Sequence, residues 1–253
     1  MKIEKLTFNA NGEREIEEKI RNENPEANVK TFSQEIIVPV GTEIIDFSAM
    51  GYRNWKMILP GKKIAIHFCL AFLAENVVIY KEGLKDGIQI LFSGKYSDET
   101  ETDKSLVRDP NENWGVLITA DGEIEFDQKL VEISFNLNGT EDIEVNYRKV
   151  FEDLVFPKFF QKIVIPKDCR VSLELSKSEF GPCWEFLNPD NVCICELWLC
   201  FESYLRIKHQ SVTEPFFMCF PGKKISTVNN LLKNPLKNLR LKITESYFSY
   251  QEN

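Results

Sequence analysis

Four cysteines in the last third of the chain have the residue type and the density for metal or redox chemistry. Cys183, Cys193, Cys195 and Cys200 are spaced C-x9-C-x-C-x4-C. Structural zinc uses two C-x2–4-C knuckles, whose turns point both sulfurs at one ion. Cys193 and Cys195 instead lie within an apolar run. On a strand, Cys193, Cys195, Leu197, Leu199 and Phe201 share one wholly apolar face; Ile194, Glu196, Trp198, Cys200 and Glu202 share the other. The expectation is four small buried hydrophobes, with no metal and no cofactor.

Histidine chemistry has few options, because the chain has only two. His67 lies in the middle of the apolar run Ile64–Leu73 and reads as a satisfied core residue. His209 follows Lys208 in a polar segment and reads as exposed. Neither belongs to an HExxH or H-x3-H setting. Ser48-Ala-Met-Gly51 is no nucleophile elbow. Gly61-Lys62-Lys63 lacks the upstream glycine and the following hydroxyl of a phosphate-binding loop. Glu123, Glu125 and Asp127 alternate as on the solvent face of a hairpin, a pattern that protects a sheet edge from aggregation. These absences lead to the expectation that the chain is not an enzyme.

Surfaces carry more information. From Arg206 to Lys242 there are eight basic residues and one acid, Glu214. Lys223, Lys224, Lys233, Lys237, Arg240 and Lys242 form a candidate binding patch, with Phe216 and Phe217 as aromatic neighbours. Such a combination binds single-stranded nucleic acid by phosphate contact and stacking. The net charge is −8, and residues 1–140 carry all of it; residues 141–253 are neutral. Opposed patches on one chain also suit head-to-tail assembly with other copies. The leading expectation is a non-catalytic scaffold or adaptor that binds other proteins, self-association included. Nucleic-acid binding through the basic stretch is the alternative, and an enzyme of unrecognised type is the third.

The elements that must position these residues are strands. Val131-Glu-Ile-Ser-Phe-Asn-Leu137 alternates apolar and polar, as a half-buried strand of an antiparallel sheet does. Val171–Leu175 and Leu239–Ile243 repeat the pattern. Ile64–Leu73 reads as a central strand covered on both faces. Gly87–Phe92 and Trp114–Thr119 add shorter strands, and Asp121-Gly122 predicts a hairpin turn into Ile124–Phe126. Glu13–Asn24 and Thr227–Leu232 are the two short helix candidates. Ser97–Asn113, rich in Asp, Glu and Asn, reads as a long exposed loop.

One phrase occurs twice: Met57-Ile-Leu-Pro-Gly-Lys-Lys-Ile64 and Met218-Cys-Phe-Pro-Gly-Lys-Lys-Ile225. A second echo links Ile36-Ile-Val-Pro39 with Ile163-Val-Ile-Pro166. If both echoes mark one duplication, the second copy runs 55 residues from proline to proline against 21 in the first, an insertion of 34 rich in cysteine. The predicted fold is all-β, mostly antiparallel and β-sandwich-like. It is either two similar lobes, 1–140 acidic and 141–253 with the insertion and the basic stretch, or one large sandwich. The turn at Asn138–Asp142 is the expected boundary. No apolar run is long enough for a transmembrane helix, and Met1-Lys-Ile-Glu-Lys-Leu6 has no apolar leader. With seven cysteines, an odd number, the expectation is an intracellular protein, cytoplasmic or nuclear, without membrane partners.

Overall fold

A computed structural model describes residues 1–9, 22, 31–49, 52–61, 64–71, 76–84, 87–92, 105–109, 112–136, 145, 148–150, 158–174, 181–200, 204–219, 230–231 and 241–250. The chain divides into two compact units, Met1–Gln128 and Lys129–Asn253. This division places the net charge of −8 entirely in the first unit, with 15 basic and 23 acidic residues. The expected boundary turn at 138–142 lies outside the described residues. Among the described residues no helix is long and apolar enough to cross a membrane.

The first lobe is built from β1 (Lys2–Asn9), β2 (Thr31–Val38), β3 (Glu43–Ala49), β4 (Tyr52–Ile58), β5 (Ala65–Ala71), β6 (Asn76–Lys81), β7 (Ile88–Phe92), β8 (Ser105–Arg108), β9 (Val116–Ile118) and β10 (Ile124–Glu125). They form a small sheet, β1-β2-β9-β10, and a large one running β3 to β8 in chain order. Pairing is antiparallel except between β2 and β9 and between β7 and β8. Leu6, Ile36, Val38, Val116 and Ile118 of the small sheet pack against Trp55, Met57, Phe68, Leu70, Ile79 and Ile90 of the large one. Alternation along each strand delivers one apolar face to that core. Each such buried side chain contributes about 1.5–3 kcal/mol. A surface ion pair such as Arg53–Asp46 contributes about 0–1 kcal/mol, so the core holds the lobe together.

The second lobe repeats this design: β11 (Gln128–Asn136), β12 (Lys158–Pro166), β13 (Arg170–Glu174), β14 (Cys183–Leu187), β15 (Cys193–Cys200), β16 (Tyr204–His209), β17 (Phe216–Cys219), β18 (Asn230–Leu231), β19 (Leu241–Ile243) and β20 (Phe248–Tyr250). The small sheet is β11-β12-β19-β20 and the large one runs β13 to β18. The parallel pairs recur as β12 with β19 and β17 with β18. Registers correspond at position after position. Trp55 lies opposite Phe68, and Trp184 opposite Leu197, both in the core. Ile36 lies beside Val116, and Ile163 beside Leu241. Thr42 N–H donates to Pro39 O, and Cys169 N–H to Pro166 O. Among the described residues, each of the two units contributes ten strands to a β-sandwich-like lobe.

Several expectations change. The Ile-Val-Pro echo marks equivalent places, the exits of β2 and β12. The Pro-Gly-Lys-Lys echo does not. Pro60-Gly61 turns β4 into β5, closed by Leu59 N–H on Ile64 O, whereas Pro221 follows β17. The counterpart of the first turn is Pro189-Asp190, closed by Asn188 N–H on Val192 O. The second lobe therefore carries no 34-residue insertion; the cysteines lie on its regular strands. Ser105–Arg108, expected in a loop, is strand β8, and Asn230–Leu231, expected in a helix, is strand β18. The other helix candidate lies outside the described residues apart from Asn22, which is helical. Ile64–Leu73 is not covered equally on both faces: Ile66, Phe68 and Leu70 are buried, whereas His67 and Cys69 are half-buried opposite them. Asp121-Gly122 does form the hairpin turn, with Gly122 at φ 82° and Thr119 N–H donating to Glu123 O.

Candidate functional site

In each lobe one face of the large sheet makes the core, which leaves the other face to differ between lobes. That face of the second lobe is organised by β15 and β16. Register sets Glu196 opposite Lys208, Trp198 opposite Arg206 and Cys200 opposite Tyr204. β17 continues the rows, with Phe217 beside Arg206 and Cys219 beside Tyr204. The Arg206 guanidinium carbon lies 4.1 Å from the Trp198 ring centroid. Tyr204 and Phe217 meet edge to face at 5.3 Å. Trp198, Tyr204, Arg206 and Phe217 are all half-buried. The face thus presents a cation clamped on an indole beside an aromatic pair, an arrangement stabilised by the ring quadrupoles.

The thiols around it are held protonated. Burial pushes Cys183 up to about 12 from 9.0, with the Glu196 charge adding to the effect. Cys195 is raised further in the same direction, again mainly by burial. Cys193 and Cys200 are raised by burial as well. Tyr204 is raised to about 12, first by its hydrogen bond with Cys200 and then by burial. A protonated thiol is neither a nucleophile nor a ready metal ligand. Cys195, Leu197 and Leu199 share the core face as alternation predicts. A β-bulge opposite Phe186/Leu187 takes Cys193 out of that alternation and sends Ile194 into the core beside Cys195. Among the described residues no group of three or more His, Cys, Asp or Glu side chains is placed to hold a metal ion.

The equivalent rows of the first lobe carry different chemistry. Lys56, His67 and Tyr80 are aligned across β4, β5 and β6, at the positions that Glu185, Glu196 and Lys208 occupy in the second lobe. The His67 and Tyr80 rings stack at 4.8 Å and 5°. Lys56 Nζ pairs with Glu82 Oε1 at 3.0 Å, and the ammonium holds that exposed carboxyl below its usual range. Cys69 on the neighbouring row is raised by burial, its hydrogen bond with Tyr80 opposing. Asp127, one of the alternating acids, pairs with Arg108 at 2.8 Å.

The sequence-predicted patch is only partly described. Lys223, Lys224, Lys233, Lys237 and Arg240 lie outside the described residues. Phe216 and Phe217 project from opposite faces of β17: Phe216 packs on the core and Phe217 joins the outer aromatic pair. Lys242 belongs to β19 of the small sheet, where its ammonium lies 5.4 Å from the Tyr247 ring centroid. The structure therefore does not bring Lys242 to the same sheet face as Phe217. His209, expected at the surface, is fully buried. Sequence reasoning passed over Trp198, Tyr204 and Arg206. The signal for them was the alternation of β15 continued onto the next strand, which requires the pairing partner to be known.

The chain matches no family model, no curated protein and no solved structure.

Proposed function

We propose that this protein is a non-catalytic interaction protein whose second lobe receives a protein partner on the outer face of its large sheet. The observation that carries the reading is the clamp of Arg206 over Trp198 with Tyr204 and Phe217 alongside. Trp, Tyr and Arg are the residues that dominate binding energy at protein interfaces, because each combines a large apolar body with a polar group. The partner that charge favours is the first lobe of another copy. That lobe carries all of the net charge of −8, and Arg206 and Lys208 offer it cations. The separation of Phe216 from Phe217 onto opposite faces weighs against a nucleic-acid stacking platform made of both.

Light scattering on eluting protein at low and at high salt tests the reading. Complementary charge predicts a mass above the monomer at low salt that falls toward the monomer as salt screens the pair. Arg206→Glu with Lys208→Glu gives the monomer at both, with the melting temperature checked to confirm a folded chain. A wild-type monomer indifferent to salt overturns assembly between copies.

A further inference from the structure

The first lobe contains a mostly apolar pocket, and two of its wall positions carry aromatic rings in the second lobe. The cavity has a volume of about 350 Å³ and lies where β6, β7 and β8 meet the β9–β10 hairpin. That volume falls in the range of small-molecule sites, about 300–1,000 Å³. Ile79, Ile88, Leu106, Ile124 and Phe126 supply apolar walls, and Leu84, 61% exposed, stands at the opening. Lys81 also lines it, and its ammonium donates to Asp121 O at 2.7 Å, fastening the hairpin to the end of β6. Gly122 allows that close approach: a Cβ there would come within 2.8 Å of Ile64 Cγ2.

The tandem supplies an internal comparison. Ile88 is paired with Ile79, and at the same register of the second lobe Phe216 is paired with Ile207. Ile124 is paired with Ile118, and Phe248 with Ile243. The two isoleucines of the cavity wall are thus two phenylalanines in the second lobe. Their rings meet at 5.4 Å and 42°, and Phe248 continues to Tyr250 at 6.2 Å. Both phenylalanines are packed against the core of their lobe. The shared framework carries aromatic rings at these two positions in one lobe and isoleucines beside an open pocket in the other.

We propose that the first-lobe cavity is a binding site for a small planar aromatic molecule, which takes the place that Phe216 and Phe248 take in the second lobe. The walls are mostly apolar, Phe126 offers the guest a ring to pack against at a tilt, and Lys81 places a cation at its edge. A mostly apolar pocket binds such guests because burying their rings removes apolar surface from water.

Indole is the probe, titrated into the full chain and followed by ligand-observed saturation-transfer NMR and by calorimetry. One saturable site per chain is expected. Ile88→Phe with Ile124→Phe copies the second lobe and weakens indole binding more than about tenfold. Phe216→Ile with Phe248→Ile opens the matching space and raises the stoichiometry to two. Leu84→Glu, at an exposed position that folding tolerates, weakens binding by charging the opening, and it decides the matter if a core variant does not fold. Absence of saturable binding, binding unchanged by Leu84→Glu, or cyclohexanol bound as tightly as indole overturns the proposal.

Discussion

His209 Nε2 and the carbonyl oxygen of Thr244 lie 2.7 Å apart in the interior of the second lobe. Nδ1 accepts from the Ser211 backbone N–H at 3.1 Å, so the hydrogen-bond network assigns the proton to Nε2, which donates to Thr244. The tie joins the end of β16 to the turn between β19 and β20. Lys81 makes the same tie in the first lobe, from the end of β6 to Asp121 in the turn between β9 and β10. One architectural joint is thus made twice with different side chains.

The two joints differ in burial, and their removal differs in cost. His209→Ala takes the partner from a part-buried carbonyl and a part-buried backbone N–H and leaves a void where the buried ring stood, a loss of about 2–4 kcal/mol. Lys81→Met removes one bond from a half-buried amine, about 1 kcal/mol. Urea unfolding with linear extrapolation measures both. Equal losses contradict the account.

The cysteines set an alkaline limit on stability. Cys183 has its folded pKa raised from 9.0 to about 12 by burial, and Cys195 and Cys193 are raised in the same direction. The unfolded chain loses these protons first, so the stability they allow is intact below pH 9 and declines as pH rises from 9 toward 12. The melting temperature falls across that window, and Cys183→Ala makes the fall shallower. At pH 8 the buried Cys183, Cys195 and Cys200 resist a thiol reagent in the native protein. Half-buried Cys69 and Cys193 react sooner. A flat alkaline profile rejects the protonated-thiol picture.

Each lobe has its own core, drawn from both of its sheets. Chains cut between Gln128 and Lys129 therefore fold separately, each showing a cooperative melt and dispersed amide resonances. A cut at residue 140 removes β11, with the core residues Ile133 and Phe135, from the second lobe and leaves it unable to melt cooperatively. Equal behaviour of the two cuts counts against the boundary at 128.

Much of the local structure was legible in the sequence. Val131–Leu137 contains strand residues with Ile133 and Phe135 inside, because a half-buried strand must alternate. Asp121-Gly122 gives its turn, because positive φ at Gly122 costs little. The Ile-Val-Pro echo pointed to true repetition because a proline at a strand exit has a conformational reason to stay. The Pro-Gly-Lys-Lys echo misled because Pro-Gly is a common turn pair and Lys-Lys a common surface pair. His209 misled because its polar neighbours suggested water, while its strand partner Cys195 and the Thr244 carbonyl suggest burial, and neither is near it in sequence.

The sequence by itself determined that the chain is all-β, that its strands alternate, where the Asp121-Gly122 turn lies and that its charge is concentrated toward one end. Those properties depend on steric and solvation preferences acting within a few residues. Only the tertiary structure decided that the strands of the two lobes match in order and register, that Trp198 meets Arg206, and that Ile88 and Ile124 stand where the second lobe has Phe216 and Phe248. Such relationships depend on which strands pair and in what register. Pairings such as Ile36 with Val116 and Ile163 with Leu241 join segments far apart in the chain, and no local preference specifies them.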